Sequence, residues 1–139
     1  MTILRRLGLI SLLGLAVTAF SADDRKALAK ACANSLIKGK ERGQPIPQDL
    51  VSNRKAICAC IARQVGADAT IRDQDKQKIT KIYEFSAAGD MKSATAIVVQ
   101  MASASNIAIR THTRACSRYF QRPMKKKDRG GTPEGKKAP

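Results

Sequence analysis

The sequence contains four cysteines, whose sulfurs could form disulfides, bind a metal or exchange electrons. In a short chain that leaves the cytoplasm, four cysteines are most simply two disulfides. Cys58 and Cys60 stand two residues apart in a predicted helix, so their side chains point about 200° apart and need different partners. Because Cys58 lies among apolar residues, we favour its bond to Cys116 in the core. Cys32 and Cys60 would then form the flanking bond, although the reverse pairing fits almost as well.

A metal site is the alternative use of these sulfurs. His112 lies four residues before Cys116, on the same helical face, and Met101 could add a soft ligand for copper(I). An oxidising compartment competes for the thiols. The segment 58–60 also lacks the Cys-x-x-Cys spacing and the βαβ setting of thiol redox proteins. We therefore expect structural disulfides, with no metal and no cofactor.

The carboxylates and the single histidine offer little for acid–base catalysis. Nine acidic residues lie between Asp23 and Asp90, and most of them begin predicted helices or stand in loops. Glu84 is the only one in mid-helix, where we interpret it as an exposed partner of Lys81 or another nearby base. No Gly-x-Ser-x-Gly turn and no glycine-rich phosphate loop occurs. We expect no catalytic residues and a protein that is not an enzyme.

Four arginines recur every fourth residue near the C-terminus and run on into three lysines. Neighbouring like charges on one helix face repel each other by about 0.3 kcal/mol per pair. An anionic partner would offset that repulsion. Tyr119 and Phe120 lie nearby, but two aromatic residues are too few for a base-stacking platform. The spacing predicts a surface that binds an anion or a partner, made of Arg110, Arg114, Arg118, Arg122, Lys125, Lys126 and Lys127.

The whole chain is strongly basic, with 26 Lys and Arg against 11 Asp and Glu and a formal charge of +15. Residues 22–121 alone hold seventeen basic and nine acidic residues, so the excess is not confined to the termini. Such a protein is attracted to nucleic acid, phospholipid or lipopolysaccharide phosphates, and acidic proteins. Charge alone does not identify the partner. The alternative to a binding surface is a solvated basic surface that only keeps a small protein soluble.

Residues 1–21 have the layout of a bacterial secretory signal peptide. Arg5 and Arg6 precede an apolar stretch, and small residues follow at the cleavage positions. The stretch holds about 14 apolar residues, short of the roughly 20 that a transmembrane helix needs. We favour cleavage after Ser21, with cleavage after Ala19 as second choice. The protein is therefore expected in the periplasm, or alternatively secreted from the cell, without a transmembrane span in its mature form.

Residues 22–122 predict one all-α domain, a small disulfide-clamped bundle of four to five helices. Helical patterns cover 23–38, 48–65 and 73–87, and Gly39, Gly66 and Gly89 are predicted to end them. Residues 91–121 form one helix or two, because the weak helix formers at 103–106 allow a break. Residues 123–139 are basic with almost no apolar side chains, so we expect a disordered tail.

These observations predict an exported, non-enzymatic interaction protein. Its basic helix face and tail would bind an acidic protein or an anionic component of the cell envelope. Nucleic-acid binding is the alternative, and metal binding a weaker one. The sequence leaves the partner, the pathway and the oligomeric state open, and no motif in it identifies a family.

Overall fold

A computed structural model describes residues 19–120, apart from the side chains of Tyr119 and Phe120. The described residues form helices and no strand, so the predicted all-α class is confirmed. There are six helices in this range and not the predicted four to five, because the predicted helix 48–65 is divided, in addition to the break that the prediction allowed within 91–121. They are α1 (Ala22–Glu41), α2 (Gln48–Ser52), α3 (Arg54–Ala67), α4 (Asp73–Ala88), α5 (Met91–Gln100) and α6 (Ser103–Phe120). The predicted signal peptide up to residue 18 and the basic tail lie outside the described residues.

Helix α1 continues past the glycine that was predicted to end it. Gly39 is buried inside the last turn, and the chain reverses only at Gly43, which has φ of 78°. A Cβ at position 39 would lie 2.5 Å from Gln44 Oε1 and 2.7 Å from Ile46 Cδ1. Gly39 therefore serves to let the following loop lie against α1, and the prediction of a helix end there was wrong.

The predicted second helix is divided into α2 and α3 at Asn53. The Asn53 side chain donates a hydrogen bond of 2.9 Å to the backbone carbonyl of Asp49. The Asn53 N–H donates to the same carbonyl at 3.0 Å, so Asp49 accepts two hydrogen bonds where the two helices meet. The chain resumes helical bonding at once, since Ile57 N–H donates to the carbonyl of Asn53.

The apolar segment after Gly89 forms two helices separated at Met101 and Ala102. Gly89 ends α4 as predicted, with φ of 79°. The Asp90 side chain caps α5 by accepting from Ser93 N–H at 3.0 Å. Met101 is extended and buried, and it turns the chain before α6 begins. The break falls just ahead of the segment 103–106, at a point set by contacts with α4.

The hydrophobic core lies between α1, α3 and α4. Helix α1 packs mainly on α4 and α3, α6 packs on α3, and α5 packs on α4. Among the described residues, no helix combines the length and the apolar character needed to cross a bilayer. The buried apolar side chains at the centre are Leu28, Cys32, Ile57, Cys58, Ile61, Val65, Ile71 and Ile79.

The four cysteines form two disulfides as predicted, but the pairing that we favoured was wrong. Cys32 bonds Cys58, and Cys60 bonds Cys116. Cys58 is fully buried beside Ile57 and Ile61 as expected, but the helix that covers this side of α3 is α1 and not α6. Cys60 points to the other side of α3, where α6 packs. Helix α3 is therefore bonded to the first helix on one side and to the last helix on the other.

Candidate functional site

Helix α6 presents a row of three arginines to solvent. Arg110, Arg114 and Arg118 are all exposed, and their four-residue spacing places successive Cα atoms about 6 Å apart along the axis. We call these three residues the arginine face. The helix contains no acidic residue. The remaining predicted members of the basic surface, Arg122 and Lys125–Lys127, lie outside the described residues.

The opposite side of α6 is attached to the rest of the fold at three points along its length. Near its start, Ser105 Oγ donates a hydrogen bond of 2.7 Å to Asp75 Oδ2. In the middle, His112 Nε2 lies 2.6 Å from Asp68 Oδ2. Near its end, Cys116 is bonded to Cys60 and only 1% exposed. These contacts fix the rotation of α6 about its axis, so the arginine face is held outward.

The carboxylates that form ion pairs within the described residues do so away from the arginine face. Their ion pairs are formed mostly within α1 and α4, at the pairs Lys38–Glu41, Arg72–Asp75, Lys76–Asp73, Lys78–Asp75 and Lys81–Glu84. Asp68 is hydrogen-bonded to His112, on the inner side of α6. None of the ion pairs within the described part of the chain includes Arg110, Arg114 or Arg118. The positive charge of this face is therefore not neutralised inside the fold that we describe.

Two carboxylates that hold α6 have lowered pKa values. Hydrogen bonds from the Thr70 side chain and from His112 lower the pKa of Asp68 from 3.8 to about 2. Burial acts to raise the pKa of Asp75, but hydrogen bonds from Arg72, Ser105 and the Ala102 N–H outweigh it and lower the pKa. Both groups are thus anions at neutral pH, and each accepts a hydrogen bond from a side chain of α6, Asp68 from His112 and Asp75 from Ser105.

The residues considered for a metal site are committed to other partners. All four cysteines are in disulfides, so no thiolate is available as a ligand. His112 Nε2 is bonded to Asp68. Within residues 19–120, no cluster of three or more His, Cys, Asp or Glu side chains could hold a metal ion. Glu84 pairs with Lys81 at 3.5 Å and is exposed, in agreement with its interpretation from the sequence.

Sequence reasoning missed two surface recesses, of which only the smaller has a residue of the arginine face in its wall. A groove of about 540 Å³ lies along α1 and the start of α3, with Lys30, Arg54, Lys55 and Glu84 in its lining. A smaller apolar recess of about 190 Å³ has Arg110 in its wall. Its lining comes from α1, α3 and α4, so no spacing within one segment could have indicated it.

The partner of His112 was missed for the same reason. Asp68 stands 44 residues before His112, and only the packing of α6 beside the α3–α4 loop brings the two together. Ser105 was likewise not singled out, although its side chain is fully buried against Asp75.

Comparison with models of known protein families, with curated proteins and with solved structures found no significant match in any of the three. The interpretation of the arginine face therefore depends on the geometry and charge of this chain alone.

Proposed function

We propose that this chain is an exported, non-enzymatic interaction protein whose arginine face binds an anionic partner. The partner is an acidic protein or an anionic component of the cell envelope, and the basic residues that follow α6 extend the contact. The observation that carries the proposal is the row of three exposed arginines on an acid-free helix, with no ion-pair partner among the described residues.

Guanidinium groups suit this role better than a generic positive charge would. Each one presents five donors in a planar fork and can bind a carboxylate or phosphate through two parallel hydrogen bonds. Three such groups along one helix form a linear array that complements a row of acidic side chains or phosphates. Bound anions would also relieve the repulsion between neighbouring arginines, which is about 0.3 kcal/mol per pair.

The covalent structure supports the export part of the proposal. Disulfides persist in the periplasm and outside the cell, whereas cytosolic reductants keep thiols reduced. Both bonds here join separate helices, and Cys32, Cys58 and Cys116 are buried. A chain of this kind acquires its final fold after it reaches an oxidising compartment, in keeping with a secretory leader at its N-terminus.

The test compares two triple variants with equal loss of charge. The first changes the arginine face, Arg110→Gln, Arg114→Gln and Arg118→Gln. The matched control is Lys26→Gln, Arg63→Gln and Lys92→Gln, three exposed positions on α1, α3 and α5. Both are used to capture partners from envelope extract. The affinity of each identified partner is then measured by titration at several salt concentrations.

We expect the arginine-face variant to bind at least about tenfold more weakly than the control, because charge-assisted hydrogen bonds are lost only there. Equal weakening of both variants would show that net charge alone is responsible and would contradict the proposal. A third variant with lysine at the three arginine positions keeps the charge and tests for the paired hydrogen bonds.

Parallel titrations with DNA and RNA test the alternative class of partner. Binding to nucleic acid falls linearly in a plot of log affinity against log salt, with a slope set by the number of phosphates neutralised. Tight binding of this kind by the wild type, lost in the arginine-face variant, would replace our proposal with the nucleic-acid alternative.

A further inference from the structure

We propose that signal peptidase cleaves between Ala19 and Phe20, so that the mature chain begins at Phe20 and not at Ala22. The inference rests on the export proposed above. It replaces the boundary favoured by the cleavage pattern alone, which follows Ser21. Water would add across the Ala19–Phe20 peptide bond, leaving a carboxylate on Ala19 and a new α-amino group on Phe20.

The first reason is that Phe20 belongs to the hydrophobic core. Its side chain is only 7% exposed, although the residue precedes α1 and lies in no helix. It is part of the same buried cluster as Leu28 and Cys32 of α1. The sequence contains three phenylalanines and no tryptophan, so a buried aromatic ring is a large part of this core. Cleavage after Ser21 would remove the ring and leave the space beneath it unfilled.

The second reason is that Ser21 begins α1. Ser21 Oγ accepts a hydrogen bond of 3.1 Å from Asp24 N–H, and Asp24 Oδ2 accepts one of 2.8 Å from Ser21 N–H. This reciprocal pair is a capping box, which satisfies two backbone donors at the start of a helix. The Ser21 carbonyl also accepts the first helical hydrogen bond, from Arg25 N–H at 3.0 Å. Removing Ser21 would delete all three interactions.

The third reason is the charge that each cleavage would create. Cleavage after Ser21 places the new α-amino group on Ala22, the first residue of α1. A positive charge there opposes the positive end of the helix dipole. Cleavage after Ala19 places the amino group two residues before the helix and leaves the cap intact. The helix cap at Ser21 and the position of the new amino group therefore both favour the chain that starts at Phe20.

The cleavage pattern permits this boundary. Signal peptidase requires small residues just before the cut, and Ala19 occupies the last position in Val17-Thr18-Ala19. Ala19 is exposed in the fold, in contrast to Phe20 beside it. A position that the enzyme accepts thus lies directly before the buried side chain.

The direct test is the N-terminus of protein secreted by a bacterial host that expresses the full chain. Intact mass and N-terminal sequencing are measured on material from the periplasm and the medium. We expect the mature protein to begin Phe20-Ser21-Ala22-Asp23. A mature chain that begins at Ala22 would overturn this inference while leaving export intact. Full-length protein retaining Met1 would instead contradict the export on which it rests.

A second measurement tests the structural reason separately. Two oxidised proteins are prepared with N-termini at Phe20 and at Ala22, and their unfolding by urea is compared. Loss of a buried phenylalanine and a helix cap should raise the unfolding equilibrium constant about a hundredfold or more in the shorter protein. The variants Phe20→Ala and Ser21→Ala, made in the longer protein, separate the two contributions. Equal stability of the two proteins would remove the physical basis of the proposal.

Discussion

The residue with the most clearly altered acidity is Asp68, in the loop between α3 and α4. Its carboxylate accepts hydrogen bonds from the Thr70 side chain at 2.6 Å and the Thr70 N–H at 2.8 Å. It also contacts His112 of α6. A carboxylate with this many partners is stabilised in its charged form, which is why its pKa is about 2 and not 3.8. One residue thus links the α3–α4 loop to the helix that carries the arginine face.

The lowered pKa of Asp68 predicts a loss of stability in acid. Because the folded-state pKa is below the unfolded value, the unfolded chain binds the proton first as the pH falls. The contribution is complete above about pH 4 and is lost progressively toward pH 2. Urea unfolding measured from pH 5 to pH 2 should show this decline, and Asp68→Asn should have a shallower decline.

A matched control for that experiment is Asp49→Asn. Asp49 is exposed in the first turn of α2, and no side-chain hydrogen bond to its carboxylate is present in the described fold. It should follow the wild-type pH dependence. Identical pH profiles for the Asp68 variant and the wild type would contradict the role given to this carboxylate.

At the scale of elements, the start of α6 depends on a residue of another helix. Asp75 belongs to the first turn of α4, and its side chain is fully buried. It accepts hydrogen bonds from Ala102 N–H at 3.3 Å and Ser105 Oγ at 2.7 Å. A carboxylate at this position satisfies a free donor and complements the positive end of α6. Asp75 thus supplies the acid that the first turn of α6 lacks.

Replacing Asp75 should therefore loosen the attachment of α6. We expect Asp75→Asn to reduce the free energy of unfolding by about 2 kcal/mol, because the amide lacks the charge and has only one oxygen to accept from these donors. Asp73→Asn removes the same charge two residues earlier, where the carboxylate is 42% exposed. That control should change stability by less than about 0.5 kcal/mol. Equal effects in urea unfolding would argue against a special role for Asp75.

The whole molecule is held by two covalent bonds that meet on α3. They close segments with sequence separations of 26 and 56 residues. Restriction of the unfolded chain by loops of these sizes stabilises the fold by about 3.5 and 4 kcal/mol. A domain of this size has a total stability of only about 5–15 kcal/mol. The fold is therefore expected to depend on oxidation, which ties its stability to the compartment proposed for it.

Paired substitutions can establish which cysteines are joined. Removing a bonded pair, in Cys32→Ser/Cys58→Ser or in Cys60→Ser/Cys116→Ser, should leave the other bond intact and no free thiol. Removing one member of each bond, in Cys32→Ser/Cys60→Ser, should leave two free thiols and a larger loss of stability. Thiol titration and thermal unfolding of the oxidised proteins provide the measurement. Thiol-free, stable protein from the last variant would support the pairing of Cys58 with Cys116 instead.

The sequence by itself determined which segments are helical and which faces are apolar. Leu28 and Cys32 recur at helical spacing, as do Ile57 and Ile61, and all four are buried. The end of α4 at Gly89 was predicted from the glycine itself. These features depend on the spacing of residue types over a few positions, which can be read directly from the sequence. The four cysteines were also assigned to disulfides on composition and spacing, and the structure confirms this.

Only the tertiary structure decided how the elements face one another. The pairing of Cys58 depended on whether α1 or α6 covers its side of α3, and the break at Met101 depended on Asp75, 27 residues before Ala102. The burial of Phe20, within the segment predicted as signal peptide, is of the same kind. Local sequence patterns cannot contain such information, because each feature depends on the distance in space between residues that are far apart in sequence. Folding sets that distance through the packing of the whole core.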